Sequence, residues 1–126
     1  MAHTPEEWFI QSDDDMGTAE HLFSSGRYVY AVFFAHLSIE KALKGIYHKK
    51  FGELPPKTHS LSWLIKQNEL VPTESMEKFI IELDYASIIT RYPEELKKVK
   101  AAYPRPKVEE ILTQTKEVLI WAKKMF

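Results

Sequence analysis

The stretch Arg27–Leu64, RYVYAVFFAHLSIEKALKGIYHKKFGELPPKTHSLSWL, decides the fold. Within it Ala31, Ala35, Ser38, Ala42 and Gly45 recur at spacings of four, three, four and three. At about 3.6 residues per turn these positions form a stripe of small side chains down one helix face. Such a stripe lets a second helix come close and pack along it. Val32, Ile39, Leu43 and Ile46 flank the stripe and supply bulk. The helix is expected from about Arg27 to Phe51, with Gly52 closing it. Pro55-Pro56 then force an extended linker. After the linker, Thr58 or Ser60 can cap a short helix that carries Leu61, Leu64 and Ile65.

Working outward, a first helix should start at Thr4, with Pro5 at its first position and Glu7 completing a capping box. Trp8, Ser12, Asp15, Met16, Ala19, Leu22 and Phe23 share one side at helical spacing, and Gly26 ends the run. Downstream, Thr73 caps a fourth helix, with Glu74 in its first turn. Met76, Phe79, Ile80, Leu83 and Ala86 form its main apolar face, and Ile81, Tyr85, Ile88 and Tyr92 form a second one. A helix apolar on both sides lies inside the fold or at a dimer interface. Pro93 disfavours helical geometry at Tyr92, so this helix ends or kinks there. A short helical piece is expected over Glu94–Ala102, with Pro104 and Pro106 after it. A last helix should run from about Lys107, with Val108, Ile111, Thr115, Val118, Ala122 and Met125 on one stripe. No segment sustains the alternation of a strand, and no internal repeat is present. The pattern predicts one all-α domain over residues 1–126, an up-and-down four-helix bundle with an additional short helix.

At 126 residues the chain can bury a substantial core. The formal net charge of -1 provides no whole-chain basic field for nucleic acid. The absence of cysteine excludes disulfides and thiolate metal sites and fits a reducing compartment. No apolar run approaches a membrane span, and the N-terminus lacks a basic-then-apolar signal pattern. A soluble, cytoplasmic chain is expected.

Trp8, Ala19, Gly26-x-Tyr28-x-x-Ala31, Glu40-Lys41-Ala42-Leu43-Lys44, Pro55-Pro56-x-Thr58-His59-x-Leu61 and Arg91-Tyr92-Pro93 occur in this order. The series resembles the HEPN family, named for a nucleotide-binding domain of higher eukaryotes and prokaryotes. The resemblance covers the chain from about Trp8 to Ala122. It implies a four-helix core with an extra short helix, usually as a homodimer. It also implies, for many prokaryotic members, a minimal nucleotidyltransferase partner in a toxin–antitoxin pair. Many members are metal-independent endoribonucleases with an Arg and, four to six residues later, a His. The family's Arg maps onto Arg91 of this chain. Its His maps onto nothing, because Tyr-Pro-Glu-Glu-Leu-Lys-Lys-Val-Lys follows Arg91. Metal-free RNA cleavage needs a group that moves protons near neutral pH, the task for which histidine is suited. The family's usual Gln before Glu-Lys is also missing, since Leu37 and Ser38 stand there. The ribonuclease activity is therefore not carried over.

Asp84, Ser87 and Arg91 repeat at spacings of three and four and share a polar strip. There Arg91 can grip a phosphate while Tyr92 stacks on a base; the alternative is an internal network or an ion pair across a dimer. Glu40 and Lys44 form an i,i+4 pair, read either as an exposed helix face or as a device that orients Arg91. Asp13-Asp14-Asp15 cannot converge on one metal ion, because consecutive helical side chains diverge; Asp15 is the one expected to pair inside. No histidine pair has metal-site spacing, so no metal and no cofactor are expected. Thr58 and His59 are read as a structural turn, with a catalytic His59 as the rival. Lysines 49, 50, 57 and 66, and 97, 98 and 100, form two clusters that suit either solvent or phosphate.

The expected function is a dimeric nucleotide-binding or interaction module that acts with a minimal nucleotidyltransferase. The alternatives are a divergent endoribonuclease built on Arg91 and Tyr92 with His59 or Glu95, and a scaffold with no ligand.

Overall fold

The computed structural model describes residues 4–89 and 96–126. Among them are six helices and no strand: α1 Pro5–Ser24, α2 Tyr28–Phe51, α3 Leu61–Gln67, α4 Glu74–Ile89, α5 Leu96–Ala102 and α6 Arg105–Met125. The four long helices form the bundle, and α3 and α5 are the short additions.

The helix ends follow local chemistry. The Thr4 hydroxyl accepts from the Glu7 N–H at 3.3 Å, and the Thr73 hydroxyl accepts from Met76 at 3.3 Å. Gly52 closes α2 at φ +67°, a left-handed conformation that costs glycine little. Ser60, rather than Thr58, caps α3 by accepting from the Trp63 N–H at 3.1 Å; the Thr58 hydroxyl accepts from the Ser60 N–H one step earlier, at 3.2 Å.

The small-residue stripe of α2 is where α1 docks. Ala31, Ala35, Ser38, Ala42 and Gly45 are all buried. Gly45 marks the tightest approach: a Cβ there would stand 2.8 Å from the Phe9 ring and 3.0 Å from Trp8 Cβ. The two helices run antiparallel, since Trp8 reaches His48 while Asp15 reaches Lys41. Ser12, buried in the seam, donates to the Ser38 carbonyl at 2.7 Å. The helix α6 also packs against α2, and its Val108, Ile111, Leu112, Thr115, Val118, Leu119 and Ala122 are buried.

Three expectations change. The last helix begins at Arg105, before Lys107, because Pro106 fits the first turn, where its missing N–H costs nothing. Met125 is 47% exposed and leaves the core stripe, while Leu112 and Leu119 join it. Glu40 and Lys44 do not lie on an exposed face; they are 3% and 8% exposed. They sink because α2 is central and buried around most of its circumference. The helix α4 buries Phe79, Ile80, Leu83 and Ala86 and leaves its second apolar face, Ile81, Tyr85 and Ile88, in the open. Its expected end at Tyr92 lies outside the described residues. No helix among the described residues is long and apolar enough to cross a membrane.

Candidate functional site

A buried polar cluster ties α2, α3 and α4 together. His36, Glu40 and Lys44 stand one turn apart on α2, so they project along one line into the bundle. Asp84 enters from α4, and His59 arrives on the linker before α3. Glu40 is the hub. One carboxylate oxygen accepts from Lys44 Nζ at 3.0 Å, and the other lies 3.0 Å from His59 Nδ1 and 4.0 Å from His36 Nδ1.

Asp84 is the second anchor. Its Oδ1 lies 2.9 Å from His36 Nε2 and accepts from the Leu61 N–H at 2.9 Å, while Oδ2 accepts from the Ser62 N–H at 3.1 Å. The carboxylate thus closes the start of α3 from another helix, satisfying two N–H groups that no intrahelical carbonyl can reach. Burial pushes the Asp84 carboxyl up. The His36 bond, the two backbone donors and the charge of His36 outweigh burial and hold the carboxyl below its ordinary value. Ser87 is buried and donates to the Asp84 carbonyl at 2.9 Å.

The structure therefore brings Glu40, Lys44, His59 and Asp84 into one region and engages each of them internally. Glu40 and Lys44 are joined to Asp84 through His36, which stands one turn before Glu40 on α2. The signal was present in the i,i+4 spacing of His36, Glu40 and Lys44; the partner on α4 was not legible from spacing. Arg91 and Tyr92, and Glu95 of the ribonuclease alternative, lie outside the described residues. Thr58 and His59 form a turn in which Thr58 orders the backbone and His59, its side chain 59% exposed, ties the linker to Glu40.

The other charged runs disperse. Asp15 pairs with Lys41 at 3.1 Å in a partly buried position, and Asp13 pairs with Lys123 at 2.9 Å on the surface. Lys50 donates to the Asn68 carbonyl and pairs with Glu69, and Lys49 donates to the Phe126 carbonyl. Half of the first lysine cluster is thus engaged within the fold. Among the described residues no group of His, Asp and Glu is arranged to hold a metal ion.

The exposed face of α4 is the other feature. Ile81, Tyr85 and Ile88 are 55%, 63% and 55% exposed, and they form a ridge at helical spacing. A groove of about 380 Å³ on the α3 side is lined by Ile65, Leu70, Val71 and Ile81, with Val71 88% exposed. A second groove, of about 410 Å³, lies on the α6 side.

Comparison with known proteins agrees with this architecture. The family model described as HEPN domain matches residues 5–125. The crystal structure of TT1696 from Thermus thermophilus is similar over 97% of this chain and 98% of that one, with a TM-score of 0.79 at 25% identity. The crystal structure of ST0689, described as an archaeal HEPN homologue, is similar over 98% of each chain, with a TM-score of 0.74 at 22% identity. No curated protein matches.

Proposed function

The chain belongs to the HEPN domain family, and from that premise we propose that it is a homodimeric interaction module. In this reading it recognises a nucleotide, acts with a minimal nucleotidyltransferase in a toxin–antitoxin-type pair, and does not use the family's Arg…His ribonuclease chemistry. One observation carries the reading: the Ile81–Tyr85–Ile88 ridge beside the Val71 groove. An apolar ridge next to a mostly apolar groove, whose lining also includes Ser62, Lys66 and Glu77, suits a two-fold partner, because each copy offers the same ridge to the other's groove. In sequence the ridge is followed by Arg91 and Tyr92. Glu40, Lys44, Asp84 and Ser87 then hold the frame, and Arg91 and Tyr92 meet the nucleotide or the partner. Light scattering tests the dimer. The wild-type chain should have twice the monomer mass at micromolar concentration, and Ile81→Glu should have the monomer mass with an unchanged circular dichroism spectrum. A monomeric wild type sinks the dimer claim.

A second reading has one observation in its favour. The buried Glu40 carboxylate lies against Nδ1 of half-exposed His59, the arrangement that orients a histidine for proton transfer. A divergent endoribonuclease built on Arg91 and His59 would use it. Cleavage of tRNA or mRNA by the pure protein, lost in both Arg91→Ala and His59→Ala, would establish this reading over the first.

A further inference from the structure

His36 is enclosed in the bundle, and each of its ring nitrogens faces a carboxylate. Nε2 lies 2.9 Å from Asp84 on α4, and Nδ1 lies 4.0 Å from Glu40 on its own helix. A neutral imidazole has one N–H and one bare lone pair. In a neutral His36 the lone pair would be aimed at a buried carboxylate, whichever tautomer the ring adopts. His59 stands differently. Its Nδ1 also lies 3.0 Å from Glu40, but most of its side chain is exposed. A neutral His59 can therefore donate to Glu40 and leave Nε2 to water.

The charges point the same way. Among the described residues the cluster sets two carboxylates, Glu40 and Asp84, against one ammonium, Lys44. One further proton, on His36, brings it to neutrality, and an uncompensated buried charge is costly. Asp15 of α1 is engaged elsewhere, with Lys41 at 3.1 Å. The charged residues of α3, α5 and α6, and the other described ones of α4, are exposed. What α3 presents to the cluster is the pair of N–H groups on Leu61 and Ser62, both donated to Asp84.

We propose that His36 is a proton-operated latch: protonated, it ties Asp84 to Glu40 and holds α3 and its linker on the bundle, and on losing the proton it releases them. Asp84 grips the start of α3, and Glu40 grips the linker through His59. The groove of about 380 Å³ has Ser62, Ile65 and Lys66 of α3 in its lining, so the latch decides whether that groove is whole. The proposal rests on the buried cluster and not on the dimer. Its sign is definite. The closed ring faces two carboxylates and holds its proton more tightly than the open, hydrated ring. Attachment of α3 is thus complete below the pH at which the open ring titrates, and is lost as pH rises through the titration of the closed ring. Between the two, opening should increase about tenfold per pH unit, the slope for one released proton.

The test is NMR of the full chain with nitrogen-15 histidine, together with amide exchange, from about pH 6 to 9, the range that spans ordinary histidine titration. At the acid end both ring nitrogens of His36 should be N–H groups. Exchange at amides 61–65, corrected for the intrinsic rate, should accelerate about tenfold per pH unit where His36 loses its proton. His36→Gln keeps a donor for Asp84 but cannot titrate, so its exchange should show no such step. His59→Gln should keep the step. A neutral His36 ring at the acid end overturns the latch, as does a step that survives in His36→Gln or vanishes in His59→Gln. Should His36→Gln fail to fold, the wild type decides alone: protection of α3 that does not follow the His36 ring signals overturns the proposal.

Discussion

Replacing Asp84 with alanine should cost about 3 kcal/mol of stability. The side chain makes three close contacts: to His36 at 2.9 Å, from Leu61 N at 2.9 Å and from Ser62 N at 3.1 Å. Losing the acceptor at the start of α3 is equivalent to losing a helix cap, about 1 kcal/mol. Leaving His36, only 2% exposed, without its carboxylate adds roughly 2 kcal/mol, the penalty for an orphaned buried polar group. For a domain of this size the melting temperature should fall by roughly 10 °C. Urea unfolding followed by circular dichroism at neutral pH measures the loss.

Asp84→Asn separates charge from shape, because it keeps one acceptor oxygen and should lose about half as much. The pH dependence has a definite sign. The Asp84 carboxyl lies lower in the folded state than in the unfolded chain, so its charge contributes stability that is complete above the unfolded value. That contribution disappears as the pH falls through the folded value. The gap between wild type and Asp84→Asn should be full at neutral pH and close in acid. A loss under about 0.5 kcal/mol in Asp84→Ala, or a gap that widens in acid, would refute the placement of Asp84 as anchor of α3.

Three further outcomes follow from packing. Gly45→Ala should destabilise by about 1–3 kcal/mol despite alanine's better helix propensity, because its Cβ would meet the Phe9 ring at 2.8 Å. Gly17→Ala is the control: nothing lies within 4 Å of its Cβ, so urea unfolding should show a gain of about 0.5–1 kcal/mol. Glu40→Ala leaves Lys44 Nζ without its carboxylate in a buried position and should cost roughly 3–5 kcal/mol. The same variant should also free His59, seen as faster exchange of amides 58–62.

Much of the fold was legible because it rests on short-range regularities. The small-residue stripe of α2 follows from spacing alone, and the Thr4 and Thr73 caps follow from residue type before a periodic apolar run; at the start of α3 residue type leaves Thr58 and Ser60 as alternatives. The burial of Glu40 and Lys44 was missed for a different reason. An i,i+4 ion pair usually marks solvent, and what sinks this one is the arrival of α3, α4 and the linker from elsewhere in the chain. A stripe of small residues with bulk on both flanks was the available sign that α2 is central, and a central helix buries its polar residues too. The start of α6 shifted because a proline that ends one helix can open the next.

Spacing misleads most at the candidate site, and the reason bears on function. Asp84, Ser87 and Arg91 group together by angle around one helix, but angle says nothing of what lies opposite. Opposite Asp84 lie His36 and the first two N–H groups of α3, and these occupy both carboxylate oxygens. A ligand that competed for Asp84 would have to break the cap of α3 and strand a buried histidine, at a cost close to the roughly 3 kcal/mol estimated for Asp84→Ala. Recognition by this domain is therefore cheaper at surfaces the core has not already engaged. Among the described residues those are the α4 ridge and the grooves beside it.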